Sequence, residues 1–139
     1  MNAICLSQDA LTVLGLAGTA LPFAEGVDDE VERWLRPLRL YGEAGASLQA
    51  LGIGEARVEG VAEGPQEAVE NSPQKTLELV TTAASTIAAE RGATTVGTQD
   101  ILTAVMRHYG DAFERALDRH SGDSAELLER LAARAGASS

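Results

Sequence analysis

The chain of 139 residues has one cysteine, four prolines and an aromatic content of only 4%. Cys5 has no partner for an internal disulfide, so no covalent staple holds this fold, and its context reads as reducing and cytoplasmic. No Cys/His spacing of a metal site occurs, so no metal and no cofactor are expected. Few aromatics argue against a single-strand nucleic-acid binder that stacks bases on rings, and they leave the core to Leu, Val, Ile and Ala. Phosphate-binding Gly-x-x-x-x-Gly-Lys-Ser/Thr is absent, which excludes a P-loop ATPase. No Lys or Arg precedes Arg33, so the apolar run 11–23 lacks the basic start of a signal peptide. At thirteen residues that run is also too short to span a bilayer, so no membrane partner is expected.

What the chain has in excess is negative charge. It carries 21 acidic and 11 basic residues, a net of −10, a field that repels phosphate backbones and argues against nucleic acid as a partner. Residues 1–70 hold twelve acids and four bases, whereas residues 71–139 hold nine and seven. The imbalance would steer a basic partner toward the first half; plain solubility is the simpler account and is favoured.

Apolar spacing reads as helix throughout. Ser72 is a candidate N-cap with Pro73 at the first helical position, and Leu77, Val80, Ala84, Ile87 and Ala88 follow at helical intervals until Gly92. Ile101 to Tyr109, Ala112 to His120, and a last helix opening with the capping pair Asp123 and Glu126 and carrying Leu127, Leu128 and Leu131 complete that half. The first half has the same plan. Helix one runs from Ser7 to Leu21 and is apolar nearly all round, which predicts a central, buried helix. Helix two carries Val31, Trp34, Leu35, Leu38 and Tyr41, with Asp29–Arg33 and Glu32–Arg36 as i, i+4 pairs and Pro37 as a kink or a shifted start. Helix three carries Ala44, Leu48 and Leu51, and a fourth piece lies near 55–62.

The halves match at an offset of 66 around Gln8/Gln74, Leu11/Leu77 and Leu14/Val80, and of 68 at Tyr41-Gly42/Tyr109-Gly110. The expected fold is all-α: one domain of two four-helix repeats with pseudo-twofold symmetry. Repeat one covers about 6–62, a Gly-, Pro- and acid-rich linker about 60–72, and repeat two about 72–135. The two opening helices should touch through Leu11, Leu14, Val80 and Ile87.

Catalytic constellations are lacking. His108, at a helix end, and His120, on an apolar stripe, have no Ser or Cys nucleophile beside them, and both read as structural. Cys5 has no basic neighbour to activate it. Asp28-Asp29-Glu30 reads as a solvated helix N-terminus rather than a cation site. Trp34 reads as core, with a groove between the repeats as the alternative. Gly97 supplies a turn, Thr98 a hydroxyl cap for the next helix, and Asp100 a charge that suits the helix dipole.

Ser72-Pro73-Gln74-Lys75-Thr76-Leu77-Glu78-Leu79, Val96-Gly97-Thr98-Gln99-Asp100-Ile101-Leu102 and Ala46-Ser47-Leu48-Gln49-Ala50-Leu51-Gly52-Ile53 together resemble the Clp N-terminal (Clp-N) double-repeat domain. That domain precedes the ATPase modules of ClpA- and ClpC-type unfoldases; the resemblance covers about 6–132 and would make this chain a free-standing copy. It implies a non-catalytic, chaperone- and proteolysis-related module that receives substrates, adaptors or cyclic peptides. The chain would then be an adaptor, a competitor, or a sink for a Clp-targeting peptide. The groove residues it points to are Gly97, Thr98, Gln99, Asp100, Glu30 and Trp34. The alternative is a small-molecule-binding or biosynthetic enzyme that has recruited the fold, with Asp100, His108, Tyr41 or Tyr109 around an interior pocket.

The resemblance also carries a specific expectation. Some relatives bind phosphoarginine, and the Glu of their Gly-Thr-Glu-His turn can pair with its guanidinium. Here the matching residue is neutral Gln99, and a charge-assisted bond is roughly twice as strong as a neutral one, so the contact should be weak. In the first half Asp29, Glu30 and Glu32 crowd the corresponding place and would repel the phosphoryl group. Calorimetric titration with free phosphoarginine should therefore show no micromolar site in the second half and at most weak binding in the first. Micromolar affinity lost in Gln99→Ala would refute the charge argument.

Overall fold

In a computed structural model of the chain, the described residues are 5–52, 71–120, 122 and 124–137. Among them are seven α-helices and one two-stranded ribbon. The order is β1 (Cys5–Leu6), α1 (Gln8–Ala20), a 3-10 turn (Leu21–Phe23), α2 (Val27–Leu38), α3 (Gly42–Ala50), α4 (Pro73–Glu90), β2 (Thr95–Val96), α5 (Thr98–Tyr109), α6 (Asp111–Arg119) and α7 (Ser124–Ala137). The all-α expectation holds in its coarse form. The predicted helix near 55–62, the linker up to residue 70, and the Asp123 end of the last capping pair lie outside the described residues.

Local chemistry explains most boundaries. Ser7 Oγ accepts the Ala10 N–H at 3.0 Å to start α1, and Ser72 Oγ accepts the Lys75 N–H at 3.2 Å to start α4, with Pro73 at the first turn where its missing N–H does no harm. Gly92, at φ +77°, lets the chain leave α4 left-handed, and the Ala93 N–H returns to the Ala88 carbonyl at 2.9 Å. Pro37 does not start α2: it is the next-to-last residue, and Tyr41 falls beyond the helix at the N-cap of α3.

Helicity is interrupted where a short ribbon forms. β1 and β2 pair in parallel, Cys5 with Thr95 and Leu6 with Val96, and the Ser7 N–H donates to the Val96 carbonyl at 2.9 Å. The pairing holds the start of α1 near the end of α4. At the other end of α1, a Cβ on Gly18 would lie 3.3 Å from Leu77 Cδ1, in the first turns of α4. The two helices therefore run antiparallel in contact.

That contact is only in part the expected one, since Val80 is fully buried and Leu14 and Ile87 pack against the core but Leu11 does not, and α1 is not the central helix. Leu11 is 55% exposed and Leu16 42% exposed, and Leu14 and Ile87 are only partly buried. The buried stripe of α1 is Ala10, Val13 and Ala17, a narrow face of small residues that needs few neighbours. The central element is α5, which packs against α1, α2, α3, α4 and α6 and buries Ile101, Leu102, Ala104 and Val105. An apolar helix is buried only when neighbours cover every side, and here the spare apolar surface of α1 stays in water.

Core volume comes from Trp34 and Phe113, both essentially fully buried, with Leu21, Leu35, Leu38, Leu48, Leu102, Leu117 and Leu127. α6 is sharply two-faced: Ala112, Phe113, Ala116 and Leu117 point in, and Asp111, Glu114 and Asp118 point out. Phe113→Ala should cost about 3–5 kcal/mol and Leu11→Ala less than about 0.5 kcal/mol in urea unfolding. Equal losses for the two would show that the assignment of core and surface is wrong.

Candidate functional site

The turn before α5 is an interlocked structural joint. Asp100 is 1% exposed, and its carboxylate takes three donors: Arg91 Nε at 2.8 Å, Arg91 Nη2 at 2.7 Å and the Gly97 N–H at 2.9 Å. The two-pronged guanidinium contact raises the Arg91 pKa further and ties the end of α4 to the start of α5. Asp100 thus caps its own helix from the third position, as its place near the positive end of the dipole suggests. Gln99 is half-buried, and its amide folds back against Gly97.

Thr98 does not cap α5. It is the first residue of that helix, is buried, and points its hydroxyl across to the first half of the chain. Oγ1 donates to the Tyr41 carbonyl at 3.1 Å and accepts the Ala44 N–H at 3.1 Å. Ala44 is the third residue of α3, and no side chain of α3's own caps that helix. Thr98 therefore serves as the N-cap of a helix 54 residues away. Gly42 makes this approach possible: it sits at φ +64°, and a Cβ there would lie 2.4 Å from Thr98 Oγ1.

Glu30 and Trp34 meet at the far end of α5. Trp34 Nε1–H donates to Tyr109 Oη at 3.1 Å, and Tyr109 Oη donates to Glu30 Oε1 at 2.9 Å. An indole nitrogen can only donate, so the phenol must accept from it and pass its own proton toward the carboxyl. Glu30 is 3% exposed and its Oε2 has no partner. Burial, with the negative charge of Asp29 alongside, holds the Glu30 pKa above the ordinary range, although the Tyr109 bond opposes this. Burial and the Glu30 charge keep the Tyr109 phenol un-ionised at any ordinary pH. His108 sets its ring edge-on to Tyr109 at 4.7 Å; the residue as a whole is exposed, but this desolvation lowers its pKa.

The acids that open α2 are not a solvated terminus. Asp29, Glu30 and Glu32 are buried, and Asp28 is half-buried. Asp28 Oδ1 meets Arg115 Nε at 3.1 Å and Arg119 Nη1 at 3.9 Å; Glu32 meets Arg119 Nη2 at 3.3 Å and His120 Nε2 at 2.8 Å. Asp29 holds Arg33 at 3.2 Å, as the i, i+4 spacing predicts, and also accepts the Glu25 N–H at 2.9 Å. Glu32 pairs across to α6 rather than with Arg36. The acidic side of the first half is answered from within the chain, by Arg115 and Arg119 of the second half, with the His120 ring in contact with Glu32 beside them. Spacing was the available signal: Asp28 and Glu32 are one turn apart on α2, as Arg115 and Arg119 are on α6.

The six sequence-chosen residues therefore fall into two places. Gly97, Thr98, Gln99 and Asp100 lie at the N-terminal end of α5, and Glu30 and Trp34 meet Tyr109 at its C-terminal end. The rise of a helix puts Thr98 and Tyr109 about 16 Å apart along the axis. Asp100 and His108, wanted around one pocket by an enzymatic reading, are divided in the same way. Arg91, Arg115 and Arg119 belong to these clusters, and sequence reading assigned none of them a place. No group of three or more His, Cys, Asp or Glu that could hold a metal ion occurs among the described residues, and no described helix is long and apolar enough to cross a membrane.

Comparison with protein-family models finds no match, and no curated protein matches the chain.

Thr98→Val should lower stability by about 1–3 kcal/mol, because the Ala44 N–H and Tyr41 carbonyl lose their partner inside the protein. Thr98→Ser should recover most of the loss. Unfolding by urea decides this: a serine variant as weak as the valine variant would show that Thr98 acts by packing and not by its hydroxyl.

Proposed function

We propose that the chain is a non-catalytic protein- or peptide-binding module with the double-repeat plan of a Clp-N domain. The support is first architectural. Each half starts with a serine-capped helix, continues with a twelve-residue helix entered through a glycine N-cap (Gly26 for α2, Gly97 for α5), and follows it with a nine-residue helix. The third residue of both twelve-residue helices is a buried Asp that holds an Arg: Asp29 with Arg33, Asp100 with Arg91. An approximate twofold relation between α1–α3 and α4–α6 accounts for this order economically.

The observation that carries the functional reading is how side chains are shared between interior and surface. Asp29, Glu32, Thr98 and Asp100 are buried and bonded within the fold, whereas Phe23 at 72% exposure, Leu40 at 58% and Leu11 at 55% stand in water. A surface that shows large apolar side chains, with Asp29, Glu30, Glu32, Thr98 and Asp100 buried in structural contacts, suits adhesion to a polypeptide better than catalysis. The reading makes the chain an adaptor, a competitor, or a sink for peptides that would otherwise reach an unfoldase.

Fluorescence anisotropy of a labelled, unfolded polypeptide that a ClpC-type unfoldase degrades tests this. Saturable binding is expected, weakened roughly tenfold, or about 1.4 kcal/mol, in a Leu11→Asp, Phe23→Asp variant with an unchanged circular dichroism spectrum. Binding that is absent, or that survives the double substitution unaltered, would count against the proposal.

A further inference from the structure

We propose that Glu30 is a proton-linked latch between α2 and α5, closed while its carboxyl is neutral and loosened when it ionises. The geometry leaves little room for a charge here. Oε1 receives one bond, from a neutral phenol, and that phenol is itself held by the Trp34 indole. Oε2 is buried and has no donor. A carboxylate can accept about four hydrogen bonds, and this one would have a single uncharged donor in a site closed to water.

The surrounding charges do not remedy this. On α2 itself, Asp29 adds a neighbouring negative charge, Arg33 is drawn to Asp29 and to the Ala20 carbonyl at 3.3 Å, and Glu32 turns to α6. From α5 come Tyr109 and the His108 ring behind it, while Arg107 is exposed and Asp100 is held by Arg91 at the opposite end. From α6, Arg115 and Arg119 reach Asp28, and Arg119 and His120 reach Glu32, with Asp111, Glu114 and Asp118 exposed. α1 brings only the exposed Asp9, α3 the half-buried Glu43, its N-cap the half-buried Tyr41, and the 3-10 turn nothing titratable, while Arg36 of α2 is exposed and Arg39 is half-buried at that helix's C-cap. No cation bonds Glu30 among the described residues.

The upward pKa of Glu30, caused first by burial, agrees with this picture. For an acid whose pKa is higher folded than unfolded, the favourable contribution is complete below the unfolded value, near 4.5, and is lost as pH rises through the folded value. The latch therefore weakens as the solution becomes less acidic.

Trp34 is the chain's only tryptophan, so its indole N–H reports on this junction without ambiguity. Its nitrogen–proton NMR resonance, followed from acid to mildly basic pH, should titrate with a midpoint above the ordinary glutamate range. The titration should vanish in Glu30→Gln and persist in His108→Gln. In urea unfolding, the wild type should lose stability relative to Glu30→Gln across the same pH interval. Carboxyl carbon resonances of labelled glutamate in the wild type supply a readout that needs no variant: one glutamate should titrate above all the others. An indole resonance that does not titrate, one that titrates in the ordinary range, one whose titration survives Glu30→Gln, or the absence of an upshifted glutamate carbon would each overturn the proposal.

Discussion

Helix α5 is held to the first half of the chain by a polar bond at each end, and the rest of the structure is arranged around that fact. At its start Thr98 caps α3; at its finish Tyr109 joins Glu30 and Trp34 on α2. The apolar flank of α5 packs between these two points, where Ile101, Leu102, Ala104 and Val105 are shielded from water. Hydrophobic burial is the larger energy but has no direction, so it tolerates small slips of one helix along another. The two polar joints do not tolerate such slips, because a displaced Thr98 or Tyr109 would leave buried donors and acceptors without partners. Thus the end bonds set the register that the leucines and alanines then fill.

Charge follows the same division of labour. An acidic first half and a more balanced second half read from composition as plain solubility, with steering of a basic partner as the alternative. In the folded chain much of the partner is internal: Arg115, Arg119 and His120 of α6 lie against Asp28 and Glu32 of α2. Pairs this close to the surface contribute modest stability individually, so their importance is in orientation. They fix which face of α6 meets α2, and they leave Asp111, Glu114 and Asp118 outward to keep the protein in solution. The repulsion of phosphate backbones by the net charge is unaffected by this pairing, since pairing moves charges without removing them.

Sequence reasoning reached what depends on nearest neighbours in the chain. Ser72, Pro73 and Gly92 announce helix ends through bonds spanning a few residues, and they act as read. The Asp29–Arg33 pair belongs to the same class. Periodicity of apolar residues located the helices but did not rank them by depth. α1 is rich in leucine and still half in water, whereas α5 is central although Thr98, Asp100 and Arg107 punctuate it. Depth is decided by how many neighbours surround a helix, and hydrophobicity alone does not count them. Thr98 shows the limit most plainly. Its residue type favours a local cap, but Gly97 and Asp100 already complete that turn, which frees the hydroxyl for α3 across the molecule. The same limit applies to Glu30 and to Asp28, whose partners are 79 and 87 residues away. No short-range pattern encodes such distances, although matched i, i+4 spacings on α2 and α6 were a usable hint.

If polar bonds at both ends of α5 make one cooperative body of the two halves, native-state hydrogen exchange should reveal it directly. Slowly exchanging amides of α2 and α3 should share a single opening free energy with those of α5 and α6, and Thr98→Val should lower all of them by the same amount. Two separate opening energies, one for α1–α3 and another for α4–α7, with Thr98→Val affecting only one group, would contradict the account.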